Sequence, residues 1–572
     1  MAFFITDECI CCNHCARECP VAAISHTDSD IKFTIDQKKC IGCGHCAELC
    51  NLGAVFDDRN PTPAPVPHEM KELWCDLVVI GGAGSGLTAA ARAASISDTK
   101  VIVLEKTLKT GGGAWFAADY KIYGSKWQKE RNLPDVSAQD FLKAMDLTYW
   151  KLDAALVKDC FSATGQFFDW ICEIGDNIED QVEEGHYVHD KNSGPVIPVY
   201  KHSVHCFGGM GKLMVKTLQD QCCRENVEIL TKCRALDVEV TDGRISAVIA
   251  EDSGGPIKVH CKACILASGS WINNQEILEK VIPEYAKLPV RLDAHRNKAY
   301  TGDGIAIAEK VGAYLDYESF ALRLMGPIVP NALFPCASLQ SMELQKTPIW
   351  IGANGKRWIN EQHGVADGLD IVAHAMLYRA GGVSFRVFDT GMLEAAVAET
   401  RRPDYTPDTS NPFAVIRFPE DYEGDLKNCA KNMPDYFFIA DTLEELAEKI
   451  HVPVDTFCNT IEQYNKMCQE GIDADYYRDA ETMVPITRGP FYVCKGIIET
   501  DGAFGGILVN NKMQVLNKTH VPINGFYCTG DFASGRFINS SGIKLQIIND
   551  LSWAFASGFI AGNEAAGFLT GT

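Results

Sequence analysis

Nine cysteines fall within the first fifty residues, and all but Cys11 are spaced as Cys9-x-x-Cys12-x-x-Cys15-x-x-x-Cys19-Pro20 and Cys40-x-x-Cys43-x-x-Cys46-x-x-x-Cys50. Three thiolates two residues apart can wrap one iron–sulfur cube, and a fourth, three residues further on, points away to complete a second. On that logic Cys9, Cys12, Cys15 and Cys50 hold one 4Fe–4S cluster, and Cys40, Cys43, Cys46 and Cys19 hold the other. A zinc site needs only four ligands and leaves the duplicated run and its trailing proline without a reason. The chemistry these residues offer is the movement of single electrons.

A second group of residues with chemistry begins at Asp76. The apolar stretch Asp76-Leu-Val-Val-Ile80 runs into Gly81-Gly82-Ala83-Gly84-Ser85-Gly86, then the alanine-rich Leu87–Ala94, then Val101-Ile-Val-Leu104 ending at Glu105. Strand, glycine turn, helix, strand and terminal acid form the dinucleotide-binding βαβ unit. Gly81 permits the tight turn, the helix start offers N–H groups to a pyrophosphate, and Glu105 can accept a ribose hydroxyl. The middle glycine of the motif is Ala83, whose methyl narrows the phosphate approach; Gly82 and Gly84 are expected to compensate.

Residues 1–60 resemble bacterial-type two-cluster ferredoxins. From about residue 75 to 572 the chain resembles the flavoprotein subunits of fumarate reductase and succinate dehydrogenase and their soluble relatives. The motifs that carry this are Glu105-Lys106, Gly111-Gly112-Gly113-Ala114, Gly208-Gly209-Met210-Gly211, Ile265-Leu-Ala-Ser-Gly269, Thr301-Gly302-Asp303-Gly304 and Gly525-Phe-Tyr-Cys-Thr-Gly530-Asp531. The resemblance implies FAD, laid against Gly112, Gly113 and Ala114, with Lys106, Thr301, Gly302 and Asp303 in the same site and Gly530 and Asp531 at the ribityl chain. Respiratory members attach the flavin through a histidine just after those glycines. Residues 106–130 contain none, so the FAD is expected to be non-covalent.

The resemblance also implies an inserted domain that closes over substrate, and here the chain departs from the family. Asn354-Gly355-Lys356-Arg357-Trp358-Ile359-Asn360-Glu361 is similar to the family's G-K-R-F-x-N-E, and Thr460–Asn465 to its helix before the return. Fumarate reductases place a proton-donating arginine four residues beyond that glutamate; this chain has Val365. Their carboxylate-clamping arginine near the C-terminus is replaced by a stretch whose cation is Lys544, and their histidine before a Gly-Gly pair by Asp501-Gly-Ala-Phe-Gly505-Gly506. Two carboxylates leaving water need paired cations, so fumarate and succinate are not expected substrates. The expected reaction is reduction of another activated C=C bond, an enone or enoate. Reduced flavin supplies the hydride and Tyr123, His363, Lys544 or Asp501 the proton. Trp115 and Phe116 favour a larger apolar substrate. Desaturation of a ketone such as a 3-ketosteroid, or service as an electron-transfer subunit for a partner enzyme, are the alternatives.

The elements that must position these residues set the organisation. At 572 residues the chain exceeds one ordinary core. The expected fold class is α/β with a small α+β head. It comprises a ferredoxin-like domain (1–60), a Pro-rich linker (61–74), a Rossmann-type FAD-binding domain in two parts (75–315 and 478–572) and an inserted α+β capping domain (316–477). Net charge of −22 argues against nucleic acid and anionic membrane surfaces. There is no apolar run of membrane-spanning length and no signal-like start at Met1. Oxygen-labile clusters further suit a reducing, anaerobic cytoplasm. Expected partners are a small unsaturated carbonyl compound and a low-potential donor such as a ferredoxin, flavodoxin or reductase, with a homo-oligomer open.

Overall fold

The computed structural model describes all residues except 1–2, 7–8, 10–13, 26–31, 51–52, 60–66, 118–119, 134, 148–149, 151, 180–203, 207–209, 289–291, 294–298, 318, 329–335, 344, 363–368, 403–404, 406–416, 534–536, 541–542, 547–549 and 572. Its contacts define two units: residues 1–277, 295–322 and 502–572, and residues 278–294 with 323–501.

The first unit opens with β1 (Phe3–Ile5), α1 (His14–Arg17), β2 (Ile24–Ser25), β3 (Thr34–Ile35), α2 (His45–Leu49) and β4 (Val55–Asp57). β1 pairs with β4 and β2 with β3, both antiparallel, so each half contributes a cysteine run and a short helix between strands. The buried apolar residues are few, chiefly Phe3, Ile5, Ile24, Phe33, Ala54 and Val55. A core this small does not hold a sixty-residue domain by burial alone, which is the usual setting for metal cross-links.

Beyond the proline stretch, β5 (Lys71–Trp74) corrects one expectation. These residues, assigned with the linker, form a strand parallel to Gly255–His260 at the edge of a four-stranded sheet with Arg244–Asp252 and Arg234–Thr241. Lys-Glu-Leu-Trp is largely exposed and carries no burial pattern, so the pairing was not legible from the residues.

Next come β6 (Leu77–Ile80), α3 (Gly84–Ile96) and β7 (Val101–Glu105). They belong to a six-stranded sheet ordered Glu228–Thr231, β7, β6, Ala263–Leu266, Pro522–Cys528, Gln514–Leu516. Its first five strands are parallel and the last antiparallel. β6 and β7 are buried at every position, as a sheet covered on both faces requires. α3 is buried on all sides from Gly84 to Ala91, and its alanines admit the C-terminal helix Asp550–Thr570 at close range. A side chain at Gly558 would come within 2.4 Å of the Ser85 carbonyl oxygen, and one at Gly562 within 2.7 Å of that of Ala89.

The second unit has its own six-stranded sheet, built around the strand Phe491–Phe504, which pairs antiparallel with Val383–Asp389 and Phe437–Ala440. Its core gathers Leu446, Phe457, Ile461 and Tyr464 from helices with Val387 and Val493 from strands. The unit therefore takes in residues 478–501, expected in the FAD-binding domain, because that strand is central to its sheet.

Candidate functional site

The glycine loop folds as a cradle that side chains would fill. Gly81 has φ +108°, and a Cβ there would meet the Ala267 carbonyl oxygen at 2.2 Å; at Gly86 it would meet the Gly81 carbonyl oxygen at 1.9 Å. No side chain caps the N-terminus of α3 at Ala83, so the cap leaves its first N–H groups to a ligand. Glu105 is buried and accepts from the Gly82 N–H at 2.7 Å, the Thr107 N–H at 2.8 Å and the Thr107 hydroxyl at 2.8 Å. A carboxylate has about four acceptor positions, which leaves one for a ribose hydroxyl. The Ala83 methyl is accommodated across the loop rather than by Gly82 and Gly84. Gly112 faces it, and a Cβ on Gly112 would lie 2.7 Å from that of Ala83. The two loops are laced together where the Gly111 N–H donates to the Gly82 carbonyl at 2.8 Å.

The remaining segments converge here. A side chain at Gly113 would approach the Tyr300 hydroxyl to 2.9 Å, which sets Gly112–Ala114 beside Thr301–Asp303. A side chain at Gly530 would meet the Ser85 hydroxyl at 2.5 Å, and the Gly530 carbonyl accepts from the Trp553 indole at 2.8 Å. Asp531 follows directly, its carbonyl accepting from the Gly505 N–H. Asp303 is a charged brace: it accepts from Lys106 at 2.9 Å, the Thr301 hydroxyl at 2.7 Å and the Nη2 and Nε of Arg234 at 2.9 and 3.0 Å. Burial works to raise its pKa, but Arg234, Thr301 and Lys106 outweigh it and hold the carboxyl at about 2. Arg234, Tyr300 and Trp553 carried no motif; only their places in the fold bring them in.

In the head, the Cys19 sulfur accepts from the Ala23 N–H at 3.3 Å and the Cys50 sulfur from the Ala54 N–H at 3.2 Å. The same contact in both halves is what a thiolate carrying cluster charge requires. Cys19, Cys40, Cys43 and Cys46 together line one cavity, floored by Ile24 and Ile35. That is the set the spacing assigns to a single cluster. Cys9 is buried beside Cys15 and Cys50 in the small core, and Cys12 lies outside the described residues. Four thiols around one cavity are a donor set that fits an iron–sulfur cluster.

The candidate acids are distributed unevenly. Tyr123 is 2% exposed, its ring edge-on to Phe161 at 4.8 Å and its N–H bonded to Thr164, the surroundings of a packing aromatic. His363 and Val365 lie outside the described residues. Asp501 falls on the strand Phe491–Phe504, and Lys544 on a two-stranded hairpin opposite Asn539. Trp115 lines a crevice with Glu48, Lys109 and Gln219, on the side of the head. In the second unit, Arg357 is buried and donates to Glu361 and to Asp473, while Arg478 donates to Glu361. The four charges are satisfied among themselves, so this motif holds the unit together.

A nucleotide cradle and a paired-cysteine head on one chain define an iron–sulfur flavoprotein oxidoreductase. Residues 76–540 match the FAD binding domain family and residues 1–51 a 4Fe-4S dicluster domain. The chain belongs to the FAD binding domain family and carries that dicluster domain at its head. It is similar to vinyl phenol reductase of Lactiplantibacillus plantarum, 27% identical over 503 residues, which covers 86% of this chain and 96% of that one. NADH:acrylate oxidoreductase of Vibrio harveyi is 25% identical over 570 residues, 86% of this chain but 50% of that protein. Among solved structures, the open conformation of a flavocytochrome c3 fumarate reductase shares the fold at a TM-score of 0.61 and 18% identity, covering 87% of this chain and 79% of that one. Among the described residues no helix is long and apolar enough to cross a membrane.

Proposed function

We propose that this chain is a C=C reductase that takes electrons from a low-potential donor and reduces an alkene conjugated to a carbonyl or aryl group, fumarate excepted. The observation that carries the reading is the head and the nucleotide cradle in one unit, in a chain that aligns along most of its length with a vinyl phenol reductase. Bound FAD supplies hydride chemistry. The chain's own residues hold and orient it: Gly81–Gly86 and the start of α3 at the pyrophosphate, Glu105 at the ribose, Gly112–Ala114 against the ring system, Gly530 and Asp531 at the ribityl chain. Cys9, Cys12, Cys15 and Cys50 ligate one cluster, and Cys19, Cys40, Cys43 and Cys46 the other. His363, Asp501 and Lys544 are the leading proton donors. Tyr123, committed to packing against Phe161, ranks behind them. The donor is a ferredoxin, flavodoxin or reductase of an anoxic cytoplasm.

The test is anaerobic turnover with a pre-reduced viologen dye, comparing fumarate with cyclic enones, enoates and vinyl phenols. Reoxidation of the dye by a conjugated alkene and not by fumarate is the expected result. Turnover of none of them, with both clusters and FAD in place, would favour the electron-transfer subunit instead.

A further inference from the structure

The segment joining the ribose acid to the flavin-contact loop is also the segment on which the head sits. Lys109 lies between Glu105 and Gly111, and its ammonium donates to the carbonyl oxygens of Ala47 at 3.0 Å and Cys50 at 2.8 Å. Both carbonyls belong to the end of α2, where a helix leaves its last C=O groups without intrahelical partners and favours a cation. One residue earlier, Leu108 fills the space above Gly53: a Cβ on Gly53, whose φ is +65°, would come within 2.1 Å of the Leu108 side chain. A charged contact and an apolar one thus seat the Cys50 end of the head on residues 108–109. The opposite end faces outward, where Cys43 is exposed and the adjacent Ile41 is 65% exposed.

We infer that Lys109 is a positioning residue that makes the cluster ligated by Cys50 the immediate electron donor to the flavin, leaving the Cys43 cluster as the entry point for the external reductant. The inference rests on the reading that the clusters feed the flavin. Two geometric facts support it. Lys109 is two residues from the glycine loop that lies on the nucleotide cradle, so the seam and the flavin site share one short stretch of backbone. Its positive charge is also set on the carbonyl of a cluster ligand, where it favours the reduced, more negative cluster. The electron balance is simple: each transfer oxidises the Cys50 cluster by one electron and reduces the flavin by one. Two transfers with two protons reduce the flavin fully, and the external low-potential donor ends oxidised by two electrons.

The experiment uses the full-length holoprotein, purified anaerobically, as wild type and as Lys109→Met, Lys109→Arg and Leu108→Ala. Photoreduced deazaflavin delivers electrons to the clusters while flavin bleaching is followed, and the cluster midpoints are titrated separately by EPR. In Lys109→Met the bleaching rate is expected to fall, because losing both contacts to the Ala47 and Cys50 carbonyls loosens the seam that sets the distance from cluster to flavin. One cluster midpoint is expected to drop while the other stays. Lys109→Arg should recover most of the rate. Leu108→Ala, which loosens the seam without changing charge, should slow bleaching with both midpoints unmoved, and it decides the question if Lys109→Met fails to retain its clusters. Bleaching at the wild-type rate in both Lys109→Met and Leu108→Ala, or two midpoints moving together in Lys109→Met, would overturn the assignment. If the wild-type clusters never reduce the flavin, the functional reading fails instead, and the two failures are distinct.

Discussion

At the scale of single residues, the site is held by a few contacts whose loss should be measurable one at a time. Gly112 has φ +52° and faces Ala83 so closely that Gly112→Ala cannot be accommodated without moving the flavin loop. We expect that variant to lose most of its FAD on gel filtration, and Ala83→Gly to restore part of it. Full FAD content in Gly112→Ala would show the loop is less constrained than its packing indicates. Asp303 gives a pH-dependent case. Its folded pKa is depressed to about 2, below the ordinary carboxylate value near 3.9, so its contribution is present above the unfolded value and is lost as pH falls towards 2. Asp303→Asn should destabilise by about 1–3 kcal/mol at neutral pH, and the gap to wild type should narrow as a thermal melt series is taken from pH 5 towards pH 2. A gap that stayed constant would mean the brace is not ionic. The cysteines, the glycine loop and Glu105 were readable because their chemistry demands a fixed spacing along the chain. Arg234 was not, because it reaches Asp303 from a strand remote in sequence, and Tyr300, although it directly precedes Thr301, has no chemistry that demands a spacing.

At the scale of elements, periodicity and composition exposed the helices and strands that are buried, and missed those formed by edge pairing. β6, β7 and the first two turns of α3 announce themselves because both sheet faces and every side of the helix there are covered, which forces apolar or small residues from Gly84 to Ala91. β5 has no such imprint; it pairs with Gly255–His260 through the backbone and through exposed side chains, Trp74 stacked on His260 and Glu72 against the same ring, which leave no burial pattern. The assignment of residues 478–501 to the second unit was hidden for a related reason, since the partners of Phe491–Phe504, Val383–Asp389 and Phe437–Ala440, lie far upstream in the sequence. Close packing of α3 on Asp550–Thr570 yields a further prediction. Gly558→Val would drive methyl groups into the Ser85 backbone. Overpacking of this kind costs about 1–3 kcal/mol. Because Ser85 belongs to the nucleotide loop, FAD should be released at a lower temperature than from wild type; flavin fluorescence during a melt reads this directly. Release at the wild-type temperature would show that the crossing relaxes without disturbing the loop.

At the scale of the whole molecule, the chain keeps the redox motifs of its family and has no arginine at the two motif positions expected to grip a small dicarboxylate. Valine at 365 cannot donate a proton, and among Asn539–Gln546 the one cationic residue is Lys544. Proton delivery by a positioned side chain is typically worth ~10²–10⁴-fold, so fumarate should be turned over at most at that fraction of the rate seen with a matched substrate. The buried Arg357–Glu361–Asp473–Arg478 network does not offset the loss, because its charges are spent on one another and on backbone carbonyls. An alkene activated by a single carbonyl or aryl group needs no second clamp, and the vinyl phenol and acrylate named for two relatives are both of that kind. The electron supply should be common to every substrate, so the discrimination has to appear in the alkene-dependent step. With pre-reduced dye in excess, enones and vinyl phenols should reoxidise the flavin quickly and fumarate slowly, while the rate of flavin reduction stays the same for all. Rapid fumarate turnover would mean that a cation outside the expected positions completes the clamp. Equal reoxidation after Val365→Arg would show that position 365 does not face the reacting carbon.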